Sequence, residues 1–285
     1  MAYEKISIEE FGKHLLVTND LDPIYVGLNN WSVSLEQKAR WMVAYWCLYH
    51  AGVSTYLSTL EGVDFWKALQ EAAHNDHPAP SGGRWPRGSE RRHWRGQQAV
   101  ASLADLVSKY DKPEQMVEFI LTGDMDYKSV ANRVQSHRGF GPWIAFKVCD
   151  MVDRVMGQDV NFDQAAVFMF KDPVKGAIML WRQQTGNTSE AVKPKEEVII
   201  PLVVDYLTGH FDHMSAPPLY DRPVGLQEVE TILCKWKSHM NGHYPLSNDV
   251  DEIQHGLREW GKFCQACNDL ADVMPSREKT WSCYS

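Results

Sequence analysis

The sequence predicts an all-α protein. Apolar residues recur at three- and four-residue spacing along most of the 285 residues, and no strand–turn–strand pattern of period-two alternation repeats. Glycine, proline and asparagine gather in short runs that punctuate the helical stretches. Ser34-Leu-Glu-Gln37 has the capping-box form, a hydroxyl followed three residues later by glutamine. After it Trp41, Met42, Tyr45, Leu48 and Tyr49 fall at helical spacing, which suits a buried helix of about four turns. Asp64 to Ala73 is a shorter helix, and residues 74–83 carry loop chemistry. Helix is expected again from Glu90 to about Ser108, then over Pro113–Leu121 and Tyr127–Gln135. A Gly139-Phe-Gly-Pro142 turn leads into a helix over Trp143–Val155, and Asp163–Phe170, Ala177–Gln183 and Glu196–Phe211 continue the pattern. Within the last, Val198-Ile-Ile-Pro-Leu-Val-Val204 is β-branched, yet its length and neighbours favour a helix entered or kinked at Pro201. Leu226–Ser238 and Val250–Val273 close the chain, with loops over Gly186–Lys195 and Ser215–Pro223. The expected organisation is a helical core over 1–185 with a C-terminal helical region, 186–285, packed on it.

Composition narrows the class. Hydrophobic residues at 44% and charged ones at 23% are globular values, so wholesale disorder is excluded. No apolar run approaches the roughly 20 residues that a bilayer crossing needs, and no membrane association is expected. The first residues carry both signs of charge without a long apolar segment, and six cysteines are too sparse for a disulfide framework. A cytoplasmic protein with reduced thiols is expected. With 29 Lys+Arg against 37 Asp+Glu, the formal charge of −8 argues against a protein that coats nucleic acid through its overall field.

Against that background, Arg84-Trp-Pro-Arg-Gly-Ser-Glu-Arg-Arg-His-Trp-Arg-Gly96 holds five arginines (84, 87, 91, 92, 95) and a single acid, Glu90. Arginine forks bind phosphate oxygens bidentately, and Gly88 and Ser89 add donors at a helix start. Trp85 and Trp94 are candidates for stacking on a base. Glu90 either orients Arg91 or Arg92 or acts as a base. A solvated basic helix face would not usually carry two tryptophans, His93 and flanking glycines.

The second motif is His137-Arg-Gly-Phe-Gly-Pro-Trp-Ile-Ala145. A Gly-x-Gly turn between two short helices frees backbone N–H groups at the second helix's N-terminus, where amides and helix dipole suit a phosphate. Such a hairpin grips the DNA backbone without reading sequence. Gly139, Gly141, Trp143 and Lys147 are the DNA-contact candidates. With the following helix, the Gly157 break and Val160-Asn-Phe-Asp163, residues 137–170 resemble the helix–hairpin–helix DNA glycosylases. The resemblance implies their helical fold and places Asp163 at the family's aspartate, at the start of the next helix. The lysine nucleophile of the bifunctional members is replaced here by Trp143, Lys147 lies one turn later, and the cysteine pattern of the iron–sulfur members is missing.

Taken with Cys234-Lys-Trp-Lys-Ser-His239-Met-Asn-Gly-His-Tyr-Pro245, these motifs resemble the phage α-glutamyl/putrescinyl thymine pyrophosphorylases of the second clade, the amino acid:DNA transferases. The similarity spans about Leu21 to about Trp260. The chain is similar also to the helical domain of the 5-hydroxymethyluracil DNA kinases, but it has no GxxxxGK[ST] loop. The resemblance implies hypermodification of thymine in phage DNA within an infected bacterial cell. An amino acid or polyamine would displace pyrophosphate from 5-(pyrophosphoryloxymethyl)uracil in double-stranded DNA, a substrate supplied by an upstream 5-hydroxymethyluracil DNA kinase. Arg84, Arg87, Arg91, Arg92 and Arg95 would then hold the pyrophosphate, with Asp163 the first candidate base, His93 the second, and Glu90 beside them. The rivals are a monofunctional DNA glycosylase and a noncatalytic DNA-binding partner of the kinase.

No cofactor is required on this reading. Asp124, Asp126, Asp249 and Asp251 are candidates to hold Mg²⁺ beside a pyrophosphate. Cys234, His239 and His243 have spacing reminiscent of half a zinc site, without a second cysteine pair at finger-like distance.

Overall fold

The computed structural model describes residues 3–74, 77–162, 170–187 and 195–276. These residues are helical throughout, apart from loops and two isolated β-bridges, Asp126–Asn161 and Ser215–Pro223. Fourteen α-helices occur among them: α1 (Ile8–Val17), α2 (Pro23–Asn30), α3 (Leu35–Leu48), α4 (Ala51–Ser58), α5 (Gly62–His74), α6 (Gly96–Lys109), α7 (Glu114–Ile120), α8 (Tyr127–Gln135), α9 (Pro142–Met156), α10 (Lys171–Thr185), α11 (Glu196–His210), α12 (Leu226–Met240), α13 (Asn248–Trp260) and α14 (Gln265–Val273). None is long and apolar enough to cross a membrane.

Two compact units result, and neither is a continuous stretch of chain. One takes the described parts of Met1–Val26, Ala165–Asp251 and Pro275–Ser285; the other takes Gly27–Gln164 and Glu252–Met274. The expected division at 185/186 falls inside the first unit.

In the first unit α12 packs against α1, α10 and α11. Gly176 of α10 permits close approach, since a Cβ there would lie 2.5 Å from the Leu233 carbonyl oxygen. Phe11, Leu15, Val203, Leu207, Phe211 and Trp236 fill the core. The unit also buries a carboxylate. Asp20 accepts hydrogen bonds from the Val250 N–H (3.0 Å) and the Tyr244 hydroxyl (3.3 Å). Lys235 Nζ lies 2.6 Å from both the Asp20 carbonyl oxygen and an Asp249 carboxylate oxygen. Burial, opposed by Lys235, pushes the Asp20 carboxyl up to about 6.

The second unit is built on α3, which carries ten buried residues in a row from Ala39 to Leu48 and packs on α4 and α7. Ser34 caps it, accepting the Gln37 N–H at 3.2 Å. Trp41 and Trp46 lie wholly inside, their indole N–H groups donating to Thr55 Oγ1 (2.9 Å) and Met151 Sδ (3.3 Å). The ladder continues α4–α5–α6 and α7–α8–α9, and α14 returns to pack on α4.

Several elements differ from the expectation. The stretch from Glu90 begins as a single 3₁₀ turn, Ser89–Arg91, and α6 starts only at Gly96, because Gly96 takes a left-handed φ of +59°. Val250–Val273 is two helices, α13 and α14. Asn268 Nδ2 donates to the Gly261 carbonyl (2.9 Å) at the break, and a Cβ on Gly261 would lie 2.1 Å from Asn268 Oδ1. The helices α1, α2 and α4 were not anticipated; each is ten residues or fewer.

Candidate active site at the arginine turn and the glycine hairpin

Three segments of the second unit converge. The first is the end of α3, where Tyr49 forms the C-cap in the left-handed region (φ 52°, ψ 42°) and turns the chain sharply. The second is the arginine turn: the Gly88 N–H donates to the Leu48 carbonyl at 2.9 Å, and a Cβ on Gly88 would lie 2.3 Å from the Tyr49 carbonyl oxygen. Only glycine lets these two backbones touch so closely. The third is the hairpin between α8 and α9. Gly139 takes φ +84°, and a Cβ there would meet Ser102 Oγ at 2.8 Å. Gly141 caps α9 with no side-chain partner, and Pro142 fills N1, where no N–H is needed. A Cβ on Gly141 would meet nothing within 4 Å, and Gly141 and Pro142 are both exposed at the start of α9.

Arg91 ties the three together. It is buried, at 8% exposure, and its Nε donates to the Cys47 carbonyl while Nη1 donates to the Gly139 carbonyl, both at 3.3 Å. Its guanidinium lies 5.4 Å from the Phe140 ring centre and 5.8 Å from that of Trp94. Nη2 is buried without a hydrogen-bond partner among the described residues. Burial lowers the Arg91 pKa and pushes the Cys47 thiol up to about 12, although guanidinium remains charged under all ordinary conditions.

The five arginines therefore divide. Arg87 is half-buried and holds main chain, donating to the Trp94 carbonyl and, at 3.0 Å, to the Ala72 carbonyl. Arg84, Arg92 and Arg95 are exposed; Arg92 makes a local bond to the Ser89 carbonyl at 3.0 Å. Glu90 and His93 are exposed on the same turn. Exposed guanidinium groups gathered on one short segment suit an oligophosphate.

The profile of a family described as amino acid:DNA transferase matches residues 17–243, a span that includes the arginine turn and the hairpin. The chain belongs to the amino acid:DNA transferase family. It is 50% identical over 284 residues to a glycinyltransferase of Pseudomonas phage PaMx11, covering 96% of this chain and 97% of that one. It is 27% identical over 255 residues to a putrescinyltransferase of Delftia phage PhiW-14, covering 86% and 76% respectively. The protein is thus a transferase.

Several expected roles in this transferase are corrected by burial. Trp85 and Trp94 are 4% and 3% exposed and are packing residues rather than stacking platforms. The Trp85 ring centre lies 5.8 Å from that of Trp260, and the Trp94 indole N–H donates to Ser102 Oγ at 3.1 Å. Lys147 sits on the buried side of α9, its Nζ 5.4 Å from the Phe146 ring centre, which removes it from a solvent-facing phosphate surface. Asp163 lies outside the described residues. The chain leading to it is anchored, since the Tyr127 N–H donates to the Asn161 carbonyl at 2.8 Å and the Phe162 ring packs on Tyr127 and Phe146.

Arg138 stands beside the expected DNA-contact candidates. Its side chain is exposed at the hairpin while its N–H donates to an Asp105 carboxylate oxygen at 3.0 Å. Its position directly before the Gly-x-Gly turn was the available signal. Among the described residues no three His, Cys, Asp or Glu side chains are grouped to hold a metal. His239 uses both ring nitrogens inside the protein, on the Ile6 N–H (3.2 Å) and the Tyr244 carbonyl (2.8 Å). Asp126 caps α8 and Asp249 pairs with Lys235. A cleft of about 490 Å³ lies elsewhere in the unit, between α3 and α7, where Arg40 bonds Glu114 at 2.5 Å. It shares no residue with the arginine turn or the hairpin.

Proposed function

We propose that this transferase joins an amino acid, glycine first among candidates, to the 5-methylene of 5-(pyrophosphoryloxymethyl)uracil in phage DNA. The name of the 50% identical glycinyltransferase supports the donor. The observation that carries the substrate is the set of exposed guanidinium groups, Arg84, Arg92 and Arg95, on the segment that Arg91 ties to the hairpin through the Gly139 carbonyl. The scaffold is read as a helix–hairpin–helix of the DNA-glycosylase kind, with the hairpin amides and Arg138 on the DNA backbone.

In the reaction the amine nitrogen forms a bond to the methylene carbon as the bond from that carbon to the pyrophosphate oxygen breaks. Pyrophosphate leaves with the electron pair, and its developing charge is met by the exposed arginines. The attacking amine must be unprotonated, so a base takes its proton: Asp163 is the first candidate, His93 the second and Glu90 the third. Because a stacked base hides its methylene, the target nucleotide is extruded from the duplex first. An upstream 5-hydroxymethyluracil DNA kinase supplies the activated DNA, and the host cytoplasm is the setting.

The test is pyrophosphate release from pyrophosphorylated 5-hydroxymethyluracil DNA. Release that requires glycine supports the proposal, and release without any amine, or abasic sites in its place, overturns it. Repeating the assay with EDTA decides whether Mg²⁺ accompanies the leaving group.

A further inference from the structure

We propose that Tyr49 and Trp143 form the aromatic wall against which the extruded 5-substituted uracil stacks; this rests on the reaction proposed above. With Trp85 and Trp94 in the interior, the stacking surface has to come from other rings. Along α3 the rings of Trp41, Tyr45 and Tyr49 form a continuous ladder, with centres 4.6 and 4.4 Å apart and tilts of 22° and 30°. The ladder runs from a fully buried tryptophan to a half-buried tyrosine at the site. There Trp143, also half-buried, meets Tyr49 at 5.3 Å and 62°, so the two ring planes form a corner. A planar pyrimidine placed in such a corner stacks on one ring and meets the other edge-on, the two favoured aromatic geometries.

Position and backbone point the same way. Trp143 is the second residue of α9, next to the exposed hairpin residues Gly141 and Pro142, so a nucleotide whose phosphate sits at the hairpin has its base within reach of the corner. Tyr49 touches the arginine turn through its own carbonyl, at Gly88, and a Glu90 carboxylate oxygen lies 3.0 Å from where a Gly88 Cβ would be. The corner thus adjoins both the backbone clamp and the oligophosphate surface, as a pyrimidine bearing a 5-pyrophosphate requires. Tyr49 also holds a left-handed conformation that glycine or asparagine would adopt at lower cost. Such a conformation persists only where the surrounding structure holds it.

The experiment uses the full-length protein and a duplex with 5-iodouracil at the target position, which on irradiation cross-links to aromatic rings stacked on it. Mass spectrometry of the digested adduct identifies the residue. A cross-link to Tyr49 or Trp143 is expected. A duplex that binds but cross-links only elsewhere, or not at all, overturns the proposal.

Because cross-linking requires no amine transfer, a cross-link at the corner in a protein that transfers nothing would refute the reaction and leave the wall standing. Where transfer is seen, Tyr49→Ala and Trp143→Ala should each raise KM for modified DNA roughly tenfold to a hundredfold, the loss of one stacked base. Tyr49→Phe should restore what Tyr49→Ala loses. Alanine variants that melt like the wild type and keep its KM overturn the wall.

Discussion

Replacing Arg91 by alanine removes one side chain and breaks three connections at once. The Cys47 and Gly139 carbonyls lose a charged donor each, at 3.3 Å, and Trp94 and Phe140 lose the guanidinium between them. A hydrogen bond to a charged group is worth about 1.5–3 kcal/mol net. The variant's smaller volume adds a cavity, and release of the orphaned Nη2 offsets part of the loss. The sum is a destabilisation of about 3 kcal/mol. At about 2–4 °C per kcal/mol for a unit of this size, the melting temperature of the second unit should fall by about 6–12 °C. Arg91→Lys should recover little, because one ammonium cannot span both carbonyls as the planar fork does. Its neighbour is the control: Arg92 is exposed, and Arg92→Ala should stay within about 0.5 kcal/mol of wild type. Urea and thermal unfolding of the three variants measure this. Arg91→Ala melting with the wild type would refute the assignment of Arg91 as the tie between the turn and the hairpin.

Arg92→Ala and Arg95→Ala should each weaken transfer to pyrophosphorylated DNA at least tenfold with no change in melting, whereas an unaltered transfer rate would remove them from pyrophosphate binding. Gly139→Ala forces a side chain into φ +84° and against Ser102, so a loss of about 1–2 kcal/mol and weaker DNA binding in a gel-shift titration are expected. Asp20 titrates near 6 when folded, above its unfolded value, so the folded state holds the extra proton and the stability it brings is lost as pH rises from about 4 through 6. Asp20→Asn keeps an acceptor for Val250 and Tyr244 and should flatten that slope, which is at most about 1.4 kcal/mol per pH unit. Equal pH profiles for the two proteins would show that Asp20 titrates normally.

Glycine and proline punctuation made much of the fold legible. α8 was bounded to the residue, and the Gly139–Pro142 turn marked the start of α9, because glycine φ and proline N1 preferences are local properties. The helix expected from Glu90 failed where contacts are not local: Gly88 touches the Tyr49 carbonyl, and the chain makes only a 3₁₀ turn before the left-handed Gly96 opens α6. Burial was the harder quantity. Arg91 and Arg92 are adjacent and chemically identical, yet one is interior and the other exposed, a difference set by where the turn meets α3 and the hairpin. Trp85 and Trp94 read as stacking groups because they sit among charges in sequence, while tertiary packing turns both inward. Tyr49 read as one more core position of α3; its left-handed C-cap is a property of the folded backbone.

The most direct measurement of the central claim is mass spectrometry of nucleosides digested from treated DNA. The DNA carries pyrophosphorylated 5-hydroxymethyluracil, and the enzyme is offered amino acids and polyamines together. The account predicts a new nucleoside heavier by one amine residue, glycine before the others, with pyrophosphate released. Free base and abasic sites, or a bound duplex that stays unmodified with every donor, would contradict it.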